Sequence, residues 1–338
     1  MELKNKKVVV VGFGLTGQAV CDFLLSQEAS VLVSDKKPES ELDRVNVYKA
    51  RGVHFDTGAN RLEILLQADL VVLSPGVPPL PEVMAAREKG IKVISEIELA
   101  YPYLQGKLIG ITGSNGKTTT TTLVYSMLKK AGFRVHLTGN IGRPLISFVS
   151  KVKPDHLVVT ELSSFQLEFT EKFRTDISVF LNVSPNHLDW HKTFDSYLQA
   201  KKKLFDHRQP GDQVIINRDD PHLWAWRQEE KQELYAFSRK HSVPRGCYLQ
   251  GSQINLKLGE EIPVIDVKEI RLRGVHNQEN VMAATLAACL AGASLRSIRQ
   301  TIRSFRGLEH RLEEVRKIKG VLFVNDSNAT TVDDNLKA

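Results

Sequence analysis

Short apolar runs recur along the chain, and segments of mixed polarity separate them. Residues 6–11 form the first run and lead into a glycine-rich turn at 12–17, and a second run at 30–34 ends at Asp35. Apolar runs of four to six residues that alternate with helical segments are typical of buried parallel strands. The pattern therefore predicts an α/β fold built on parallel sheets.

Residues 1–95 are predicted to form a Rossmann-like domain, because strand and helix alternate throughout this part of the chain. Its predicted elements are strands at 6–11, 30–34, 70–73 and 93–94, a helix that ends near Leu25 and a helix at 81–89.

Residues 96–306 are predicted to form a second, larger α/β domain of the P-loop ATPase type. A tail at 212–270 alternates short strands with turns, which indicates a small antiparallel portion, and an apolar helix follows at 278–291. The four apolar strands that precede this tail lie at 108–111, 134–137, 156–160 and 177–181.

The last segment, 307–338, offers one strand at 320–325 and a helix that begins after Thr330. These two elements cannot bury a core of their own. We therefore expect a third α/β domain that is only begun in this chain.

The run at 108–111 continues through a glycine turn into a predicted helix, an order typical of a phosphate-binding loop. Turn glycines let backbone N–H groups converge on an anion, and the helix start adds its positive dipole end. Lys117 is predicted to bind the β and γ phosphates of ATP, and Thr118 a magnesium ion. The strict P-loop pattern requires glycine in place of Ile111, so an ordinary glycine turn is the alternative. The predicted nucleotide-binding residues here are Gly113, Ser114, Asn115, Gly116, Lys117, Thr118 and Thr119.

The glycines at 12, 14 and 17 and the acidic Asp35 have the spacing of a dinucleotide-binding βαβ unit. Taken alone they indicate NAD, so a nicotinamide-dependent oxidoreductase is one alternative function. The turn at 74–76 ends a strand at the sheet edge where such folds bind ligands, and a plain turn is the simpler explanation for it.

Three polar side chains follow strands of the second predicted domain: Asn140, Glu161 and His187. Because the carboxyl ends of parallel strands share one edge, we expect these side chains to gather beside Lys117. Thr118 and Glu161 would supply oxygen ligands, and His187 a nitrogen ligand or a substrate contact, at a metal-assisted phosphoryl-transfer site. In isolation, such a glutamate is more often a helix N-terminal charge and such a histidine a capping residue.

Composition narrows the range of partners. The 338 residues carry a formal charge of +7 and a pI near 9.2, which favours anionic partners. The lysines are scattered and not interleaved with aromatic residues, so nucleotide substrates match better than nucleic acid. Three cysteines without metal or redox spacing indicate a reducing compartment. The longest stretch free of charge and strong polarity, 281–293, is too short to cross a bilayer, so we expect a cytoplasmic protein without membrane contact.

A set of motifs in fixed order resembles the Mur ligase family of peptidoglycan synthesis. The motifs are GSNGKTT (113–119), GNIG (139–142), ELSSFQL (161–167), NVSPNHLD (182–189), YLQAKKKLF (197–205), GVHNQEN (274–280), HR (310–311) and NDS (325–327). The resemblance runs from residue 9 to about residue 331. It implies an ATP- and magnesium-dependent ligase that joins D-glutamate to UDP-N-acetylmuramoyl-L-alanine through an acyl phosphate.

The resemblance also implies a role for each matching residue, and it gives the first domain the UDP part of the substrate in place of NAD. The implied catalytic residues are Lys117, Asn140, Glu161, His187 and Lys201. The implied substrate contacts are Leu15, Thr16, Asp35, Lys36, Ser74, Gly76, Asn140, Ser163 and His187. The implied nucleotide contacts outside the turn are Asn277, Asn280, Arg311 and Asp326. The implied magnesium ligands are Thr118, Glu161, His187 and Lys201.

Lys201 has two interpretations. Without the family, residues 201–203 are a solvated helix face. Family members carry a carbamylated lysine in this YxxAK context, and a cationic lysine about 4 Å from a divalent ion would be repelled by roughly 8 kcal/mol at an effective dielectric near 20. The resemblance therefore implies that Lys201 reacts with carbon dioxide and binds a second magnesium ion as a carbamate.

Two features depart from the family pattern. Asn328 stands where the family usually has lysine, and the third domain breaks off in its first helix. We expect a monomer that binds the UDP substrate and catalyses little or no ligation alone. A nucleotide-binding scaffold without catalysis is the second alternative function.

Overall fold

Two large sheets and one small hairpin organise the chain. The computed structural model describes residues 1–78, 80–228, 234–310 and 313–327. Within these residues the first sheet has five strands, the second has nine and the hairpin has two. Helices pack between and against the strands, and the predicted α/β class is confirmed.

The first sheet is all parallel. Its elements and the helices that follow them are β1 (Lys7–Val11), α1 (Leu15–Ser26), β2 (Ser30–Asp35), α2 (Val45–Lys49), β3 (His54–Thr57), α3 (Leu62–Leu65), β4 (Leu70–Leu73), α4 (Pro81–Glu88), β5 (Val93–Ser95) and α5 (Glu96–Ala100). The spatial order is β3-β2-β1-β4-β5. The two central strands are buried on both faces, which explains why β1 and β4 read as unbroken valine and leucine runs.

The strand order of this sheet reverses between β1 and β4, and open α/β sheets bind ligands at such a point. Gly12 follows β1 with a φ of +90°, a conformation that favours glycine. The Ser74 hydroxyl, which follows β4, donates to the Gly12 carbonyl oxygen (2.9 Å). Gly17, in the first turn of α1, approaches Gly12 so closely that an added Cβ would lie 2.0 Å from the Gly12 carbonyl oxygen.

The second sheet and its helices follow in the chain. They are β6 (Lys107–Thr112), α6 (Lys117–Lys130), β7 (Val135–Gly139), β8 (Leu157–Glu161), α7 (Ser164–Glu168), β9 (Ile177–Phe180), α8 (Leu188–His191), α9 (Phe194–Asp206), β10 (Gln213–Asn217), α10 (Pro221–Ala225), β11 (Tyr235–Ser238), β12 (Gly246–Gln250), β13 (Gln253–Lys257), β14 (Glu261–Asp266), α11 (Val275–Leu290) and α12 (Leu295–Ser304). Short 3₁₀ helices occur at Glu39–Glu41, Tyr101–Tyr103, Leu145–Phe148, Trp226–Gln228 and Val267–Glu269.

Strand β6 lies inside the second sheet, between β9 and β8, and the order is β14-β13-β12-β11-β10-β9-β6-β8-β7. The strands from β7 to β12 in this order are parallel, whereas β13 and β14 are antiparallel. Ile111 is fully buried in β6 and pairs with Glu161 and Val179. The position where the strict P-loop pattern requires glycine is therefore inside a strand, and the loop begins only after Thr112.

The two large sheets are packed together through a shared apolar core. One cluster joins residues of the first sheet, such as Val10, to residues around the second, such as Phe180. The Ser95 N–H at the end of β5 donates to the Phe169 carbonyl oxygen (3.0 Å). On α5, the Glu98 carboxylate accepts three consecutive backbone N–H groups from residues 171–173. These contacts fix the first sheet against the second.

The hairpin corrects one expectation. The strand predicted at 320–325 is β16 (Val321–Asn325), and it pairs with β15 (Glu313–Ile318), which the sequence analysis did not predict. The sequence of β15, EEVRKI, contains no apolar run that would indicate a strand. The helix expected after Thr330 lies outside the described residues, as do Arg311 and Asn328.

Helix α11 is nearly as predicted and begins at Val275, three residues earlier. Its faces are covered by α6 and by strands of the second sheet, so it is buried within the protein. In the part of the chain that the structure describes, no helix combines the length and the apolar character that crossing a bilayer requires.

The close approach of Gly17 to Gly12 generates a prediction about stability. We expect Gly17→Ala to lower the free energy of unfolding by about 2–3 kcal/mol, because the backbone must shift to accept the added Cβ. Urea unfolding followed by circular dichroism measures this loss.

Gly14→Ala is the matched control. No atom lies within 4 Å of a Cβ added at Gly14. Gly14 is the N-cap of α1, where alanine in place of glycine costs less than about 1 kcal/mol. Equal losses in the two variants would contradict the steric explanation.

Candidate active site

The loop between β6 and α6 is held by the segment that follows β9. The Ser114 N–H donates to the Asn182 carbonyl oxygen (2.8 Å), and the Asn115 N–H donates to Asn182 Oδ1 (2.8 Å). Asn182 Nδ2 donates in turn to the Asn115 carbonyl oxygen (3.1 Å). Ser114 Oγ accepts from the Ser184 N–H (2.9 Å) and is hydrogen-bonded to Tyr197 OH (2.9 Å). The protein itself therefore fixes the conformation of this loop.

Gly116 closes the loop and caps α6 with a φ of +81°. A Cβ at Gly116 would lie 2.3 Å from Asn280 Oδ1, so the loop packs directly on α11. Asn280 Nδ2 donates to Asn277 Oδ1 (2.9 Å), and both side chains are buried. These two residues support the loop from the side of α11, and their contact with adenine stays a prediction.

Helix α6 begins at Lys117, where the first N–H groups lack acceptors within the helix. The Lys117 ammonium donates to the Ser114 carbonyl oxygen (2.7 Å), which keeps the cation at the loop. Thr118 and Thr119 occupy the same first turn. An anion at this position would meet a lysine, a helix dipole and backbone N–H groups together.

Glu161 ends β8 and is buried next to the loop strand, with Ile111 as its partner in β6. Asn140 holds it twice: Asn140 Nδ2 donates to Glu161 Oε1 (3.0 Å), and the Asn140 N–H donates to the Glu161 carbonyl oxygen (3.0 Å). Glu161 Oε2 is buried and has no hydrogen-bond partner among the described residues. A buried carboxylate oxygen without a donor is costly, and a cation would satisfy it.

Lys201 on α9 is buried below the same loop. Its Nζ donates to the Gly113 carbonyl oxygen (2.8 Å) and to Thr112 Oγ1 (3.3 Å), and it lies 4.8 Å from the centre of the Tyr197 ring. Burial lowers the pKa of Lys201 well below its usual value, and the nearby charge of Lys117 lowers it further. The site therefore favours the neutral amine, which is the nucleophilic form. The solvated helix face expected without the family is contradicted for Lys201.

His187 precedes α8 in a left-handed conformation with a φ of +53°. Burial, then the charges of Lys117 and Lys201, lower the pKa of His187, which keeps the imidazole neutral and able to bind a metal. At the other end of α8, the buried His191 is hydrogen-bonded through Nε2 to Ser164 Oγ (2.9 Å). Burial lowers the pKa of His191 to about 4, with further contributions from Lys201 and His187.

The donor set at this site fits a magnesium ion better than a transition metal. Within the described residues there is no group of three or more His, Cys, Asp or Glu side chains that could hold a metal. Magnesium keeps several waters and is usually bound by one or two carboxylates together with substrate phosphates. Glu161 Oε2 supplies such a carboxylate oxygen, and Thr118 places a hydroxyl at the start of α6.

A cavity of about 400 Å³ opens at the point where the strand order of the first sheet reverses. The wall opposite the glycine turn is formed by Gly139 and Asn140, which come from the second sheet. The cavity therefore reaches the residue that holds Glu161. The predicted substrate residues that line it are Leu15, Thr16, Asp35, Lys36, Ser74, Gly76 and Asn140.

Asp35 has a structural function within this cavity. One carboxylate oxygen accepts the Phe13 N–H (2.8 Å), and the other accepts the Lys37 N–H (2.9 Å). The side chain thereby links the turn after β1 to the turn after β2, and it leaves Lys36 exposed at the cavity.

The predicted roles of Ser163, Asp326 and Arg311 have no support from these two regions. Ser163 does not line the cavity, and its hydroxyl caps α7 in a reciprocal arrangement with Gln166. Asp326 directly follows the hairpin strand β16, and Arg311 lies outside the described residues. Their contacts with substrate and nucleotide stay predictions.

Three residues that hold the site together were not singled out by sequence reasoning: Asn182, Tyr197 and His191. Asn182 and Tyr197 lie inside motifs that the sequence analysis quoted, whereas His191 lies between two of them. Tyr197 and His191 are buried, and Asn182 is half-buried. Their partners are 27 to 83 positions away in the sequence, as the pairs His191 with Ser164 and Tyr197 with Ser114 illustrate. Motif membership could have indicated Asn182 and Tyr197, but not His191.

The family models that match this chain and the proteins that are similar to it agree on one family. Residues 111–288 match the Mur ligase middle domain, and residues 6–95 match the N-terminal domain of the MurD-like Mur ligases. The UDP-N-acetylmuramoylalanine–D-glutamate ligase of Thermoanaerobacter sp. (strain X514) is 40% identical over 341 residues, which cover 100% of this chain and 75% of that protein. The ligase of the same name from Acidobacterium capsulatum is 43% identical over 343 residues, which cover 100% and 74%.

Solved structures support the fold. The UDP-N-acetylmuramate–alanine ligase of Thermotoga maritima aligns with a TM-score of 0.57 at 19% identity, over 98% of this chain and 76% of that one. The MurF ligase of Thermotoga maritima, solved in complex with ADP, aligns with a TM-score of 0.56 at 17% identity, over 99% and 71%. Neither the oxidoreductase nor the non-catalytic scaffold finds support in these comparisons.

The hydrogen bonds of Asn182 generate a prediction about nucleotide affinity. We expect Asn182→Leu to weaken binding of ATP with magnesium about tenfold, because the Asn115 backbone groups lose their partners and the loop loses its fixed conformation. Isothermal titration calorimetry of the purified chain measures this affinity.

Asn255→Leu is the control, because Asn255 is also buried but lies on β13, away from the loop. Its side chain makes only a 3.4 Å hydrogen bond to the Gln253 carbonyl oxygen. Unchanged ATP affinity in the Asn182 variant would show that the loop keeps its shape without this residue.

Proposed function

Because this chain belongs to the Mur ligase family, whose members are ATP-dependent ligases of peptidoglycan synthesis, we propose that it joins D-glutamate to UDP-N-acetylmuramoyl-L-alanine. Residues 1–95 bind the UDP part of the substrate, and residues 96–306 bind ATP. Residues 307–338 belong to a third domain. The reaction takes place in the cytoplasm, and the protein acts as a monomer.

The observation that carries this proposal is the continuity between the cavity at the first sheet and the loop after β6 in the second. The cavity at the glycine turn ends at Asn140, and Asn140 holds the carboxylate of Glu161 beside the phosphate loop. A substrate whose UDP moiety occupies the first sheet would therefore present its far end to ATP. A hydride transfer to a dinucleotide would leave Lys117, Glu161 and Lys201 without a function.

The reaction needs activation because a carboxylate is a poor acceptor for an amine. The terminal alanine carboxylate of the substrate attacks the γ-phosphorus of ATP, and ADP leaves. The amine of D-glutamate then attacks the carbonyl carbon of the acyl phosphate and gives up a proton. Phosphate departs from the tetrahedral intermediate, and an amide bond remains. Two anions must therefore be brought together in the first step, which requires positive charge at the loop.

Lys117 supplies part of that charge, since its ammonium is held at the loop and at the start of α6. We assign Thr118 and Glu161 as ligands of a magnesium ion, which offsets phosphate charge and polarises the reacting oxygens when it is bound. Asn140 contacts the substrate near its reacting end and positions Glu161. His187, kept neutral by its surroundings, is a ligand of a second magnesium ion.

We also propose that Lys201 is carbamylated and binds the second magnesium ion. The support is its burial, its lowered pKa and its position near Glu161. Carbon dioxide adds to a neutral amine with loss of one proton, and the resulting carbamate is an anion. This places a negative charge below the loop, which attracts a divalent ion.

Binding of the UDP substrate tests the assignment of the first sheet. We expect the chain to bind UDP-N-acetylmuramoyl-L-alanine, and Lys36→Ala to weaken this binding about fivefold through loss of roughly 1 kcal/mol, because Lys36 is exposed at the cavity. Calorimetric titration at two salt concentrations measures the affinity and its electrostatic part.

Lys89→Ala is the matched control, since Lys89 is exposed near the same sheet but does not line the cavity. Binding of NADH that the UDP substrate fails to displace would contradict the proposed substrate.

Labelling with carbon-13 bicarbonate tests the carbamate. We expect a carbamate resonance in the carbon-13 NMR spectrum of the chain at pH 7 to 8, because the lowered pKa of Lys201 leaves neutral amine available there, whereas an ordinary lysine titrates near 10.4. The signal should weaken as the pH falls, since protonation removes the nucleophile.

Lys201→Arg should abolish this resonance and Lys202→Arg should keep it. Lys202 is the adjacent residue on α9 and is less buried. A signal that survives in Lys201→Arg would assign the carbamate to another amine.

A further inference from the structure

Glu96 is a buried carboxyl group that the proposed reaction does not use. It begins α5, directly after the last strand of the first sheet, and it is 0% exposed. Its Oε1 accepts the N–H of Ile146 (2.6 Å). Its Oε2 is buried and has no hydrogen-bond partner within the described residues. A carboxyl group in such surroundings is costly, which calls for a functional explanation.

The segment that Glu96 holds closely follows two residues that line the substrate cavity, Gly139 and Asn140. Ile146 lies in the 3₁₀ helix Leu145–Phe148, and this helix follows Gly139 and Asn140 by only a few residues. Within that short stretch, the Gly139 N–H donates to the Arg143 carbonyl oxygen (3.1 Å), which closes a tight loop. A shift at Ile146 is therefore transmitted to the cavity wall.

The same segment is fixed at its other end by Glu161. Asn140 donates to Glu161 through both its side chain and its backbone. Residues 139–148 are therefore held at both ends by a buried glutamate. Glu161 holds them at the proposed magnesium site, and Glu96 holds them at the junction between the sheets. The position of Asn140 depends on both.

We propose that Glu96 is a positioning residue for the UDP substrate, which fixes the 3₁₀ helix Leu145–Phe148 and through it Gly139 and Asn140 at the cavity. The proposal rests on the proposed function for the identity of the substrate, but the contact between Glu96 and the segment does not.

The surroundings of Glu96 contain few groups that could titrate with it. The elements that pack against α5 are the 3₁₀ helices Leu145–Phe148 and Tyr101–Tyr103 and the strands β4 and β5. Among these, only Tyr101 and Tyr103 are titratable, and α5 itself adds Glu98. Burial is the main cause that raises the pKa of Glu96 to about 7, and backbone N–H groups of Ile146 and Leu145 oppose it.

The direction of the pH effect follows from this raised pKa. The folded protein binds the proton of Glu96 more tightly than the unfolded chain, so the stabilising contribution is complete below the usual carboxyl pKa of 4.5. It is lost as the pH rises through about 7. Above that value folding stability declines, but the hydrogen bond from Ile146 persists, because backbone N–H groups favour the carboxylate form.

Two variants separate the contact from the charge. Glu96→Gln keeps an oxygen that can accept the Ile146 N–H and removes the titration. Glu96→Asp keeps the titratable group but is one methylene shorter, so it withdraws from Ile146. The matched control is Glu98→Gln, because Glu98 is buried on the same helix but holds residues 171–173.

Hydrogen exchange measured by mass spectrometry without ligand reports amide exchange in residues 139–148. Calorimetric titration with UDP-N-acetylmuramoyl-L-alanine measures the substrate affinity of the cavity. For Glu96→Asp we expect amide exchange in 145–148 to rise about fivefold and the substrate affinity to fall about fivefold, as for loss of one hydrogen bond. For Glu96→Gln we expect wild-type exchange and wild-type affinity, because its amide oxygen still accepts the Ile146 N–H. Glu98→Gln should leave both measurements of this segment unchanged.

Unchanged exchange in Glu96→Asp would overturn the proposal, as would equal loosening of residues 145–148 in Glu96→Gln and Glu96→Asp. Equal loosening of residues 139–148 in Glu98→Gln would overturn it as well, because the effect would then be general. If the wild-type chain fails to bind the UDP substrate while the exchange results hold, the proposed function is wrong and the contact between Glu96 and the segment stands.

Discussion

The burial of the Lys201 amine beside Lys117 is the constraint on which the rest of the site depends. An amine removed from water prefers to be neutral, and a second cation nearby strengthens that preference. The chain places the Gly113 carbonyl oxygen, the Tyr197 ring and the Glu161 carboxylate around it. Because these groups come from the loop, from α9 and from β8, one buried amine connects three elements. Burial of this amine costs folding stability, as is common at functional sites.

Buried glutamates connect separate segments in a comparable way. Glu98 accepts three backbone N–H groups after α7, Glu96 holds the 3₁₀ helix Leu145–Phe148, and Glu161 is held by Asn140. Glu96 and Glu98 join α5, which follows the first sheet, to segments of the second, whereas Glu161 and Asn140 both belong to the second sheet. Asn140 also lines the cavity at the glycine turn, so this cavity and the loop after β6 are connected through Asn140 and Glu161.

The sequence predicted those strands and helices whose own residues show a recognisable pattern, such as an apolar run or a characteristic glycine spacing. Strands β1 and β4 are unbroken apolar runs, and the glycine turns before α1 and α6 have characteristic spacing. Strand β3, HFDT, and strand β15, EEVRKI, have mixed or charged sequences, so their pairing depends on neighbours rather than on their own pattern. The same holds for the site, where the function of Asn182 exists only in contacts with Ser114 and Asn115 about 70 positions earlier.

The glycine turn after β1 shows why a local pattern cannot identify a ligand. In a dinucleotide site, the acidic residue after β2 hydrogen-bonds a ribose hydroxyl. Here both oxygens of Asp35 already accept backbone N–H groups, so this carboxylate shapes the turn. What distinguishes the cavity is its opposite wall, Gly139 and Asn140, which belongs to another sheet. The cavity at the turn therefore reaches the residue that holds Glu161, which matches the proposed long substrate with a reactive end.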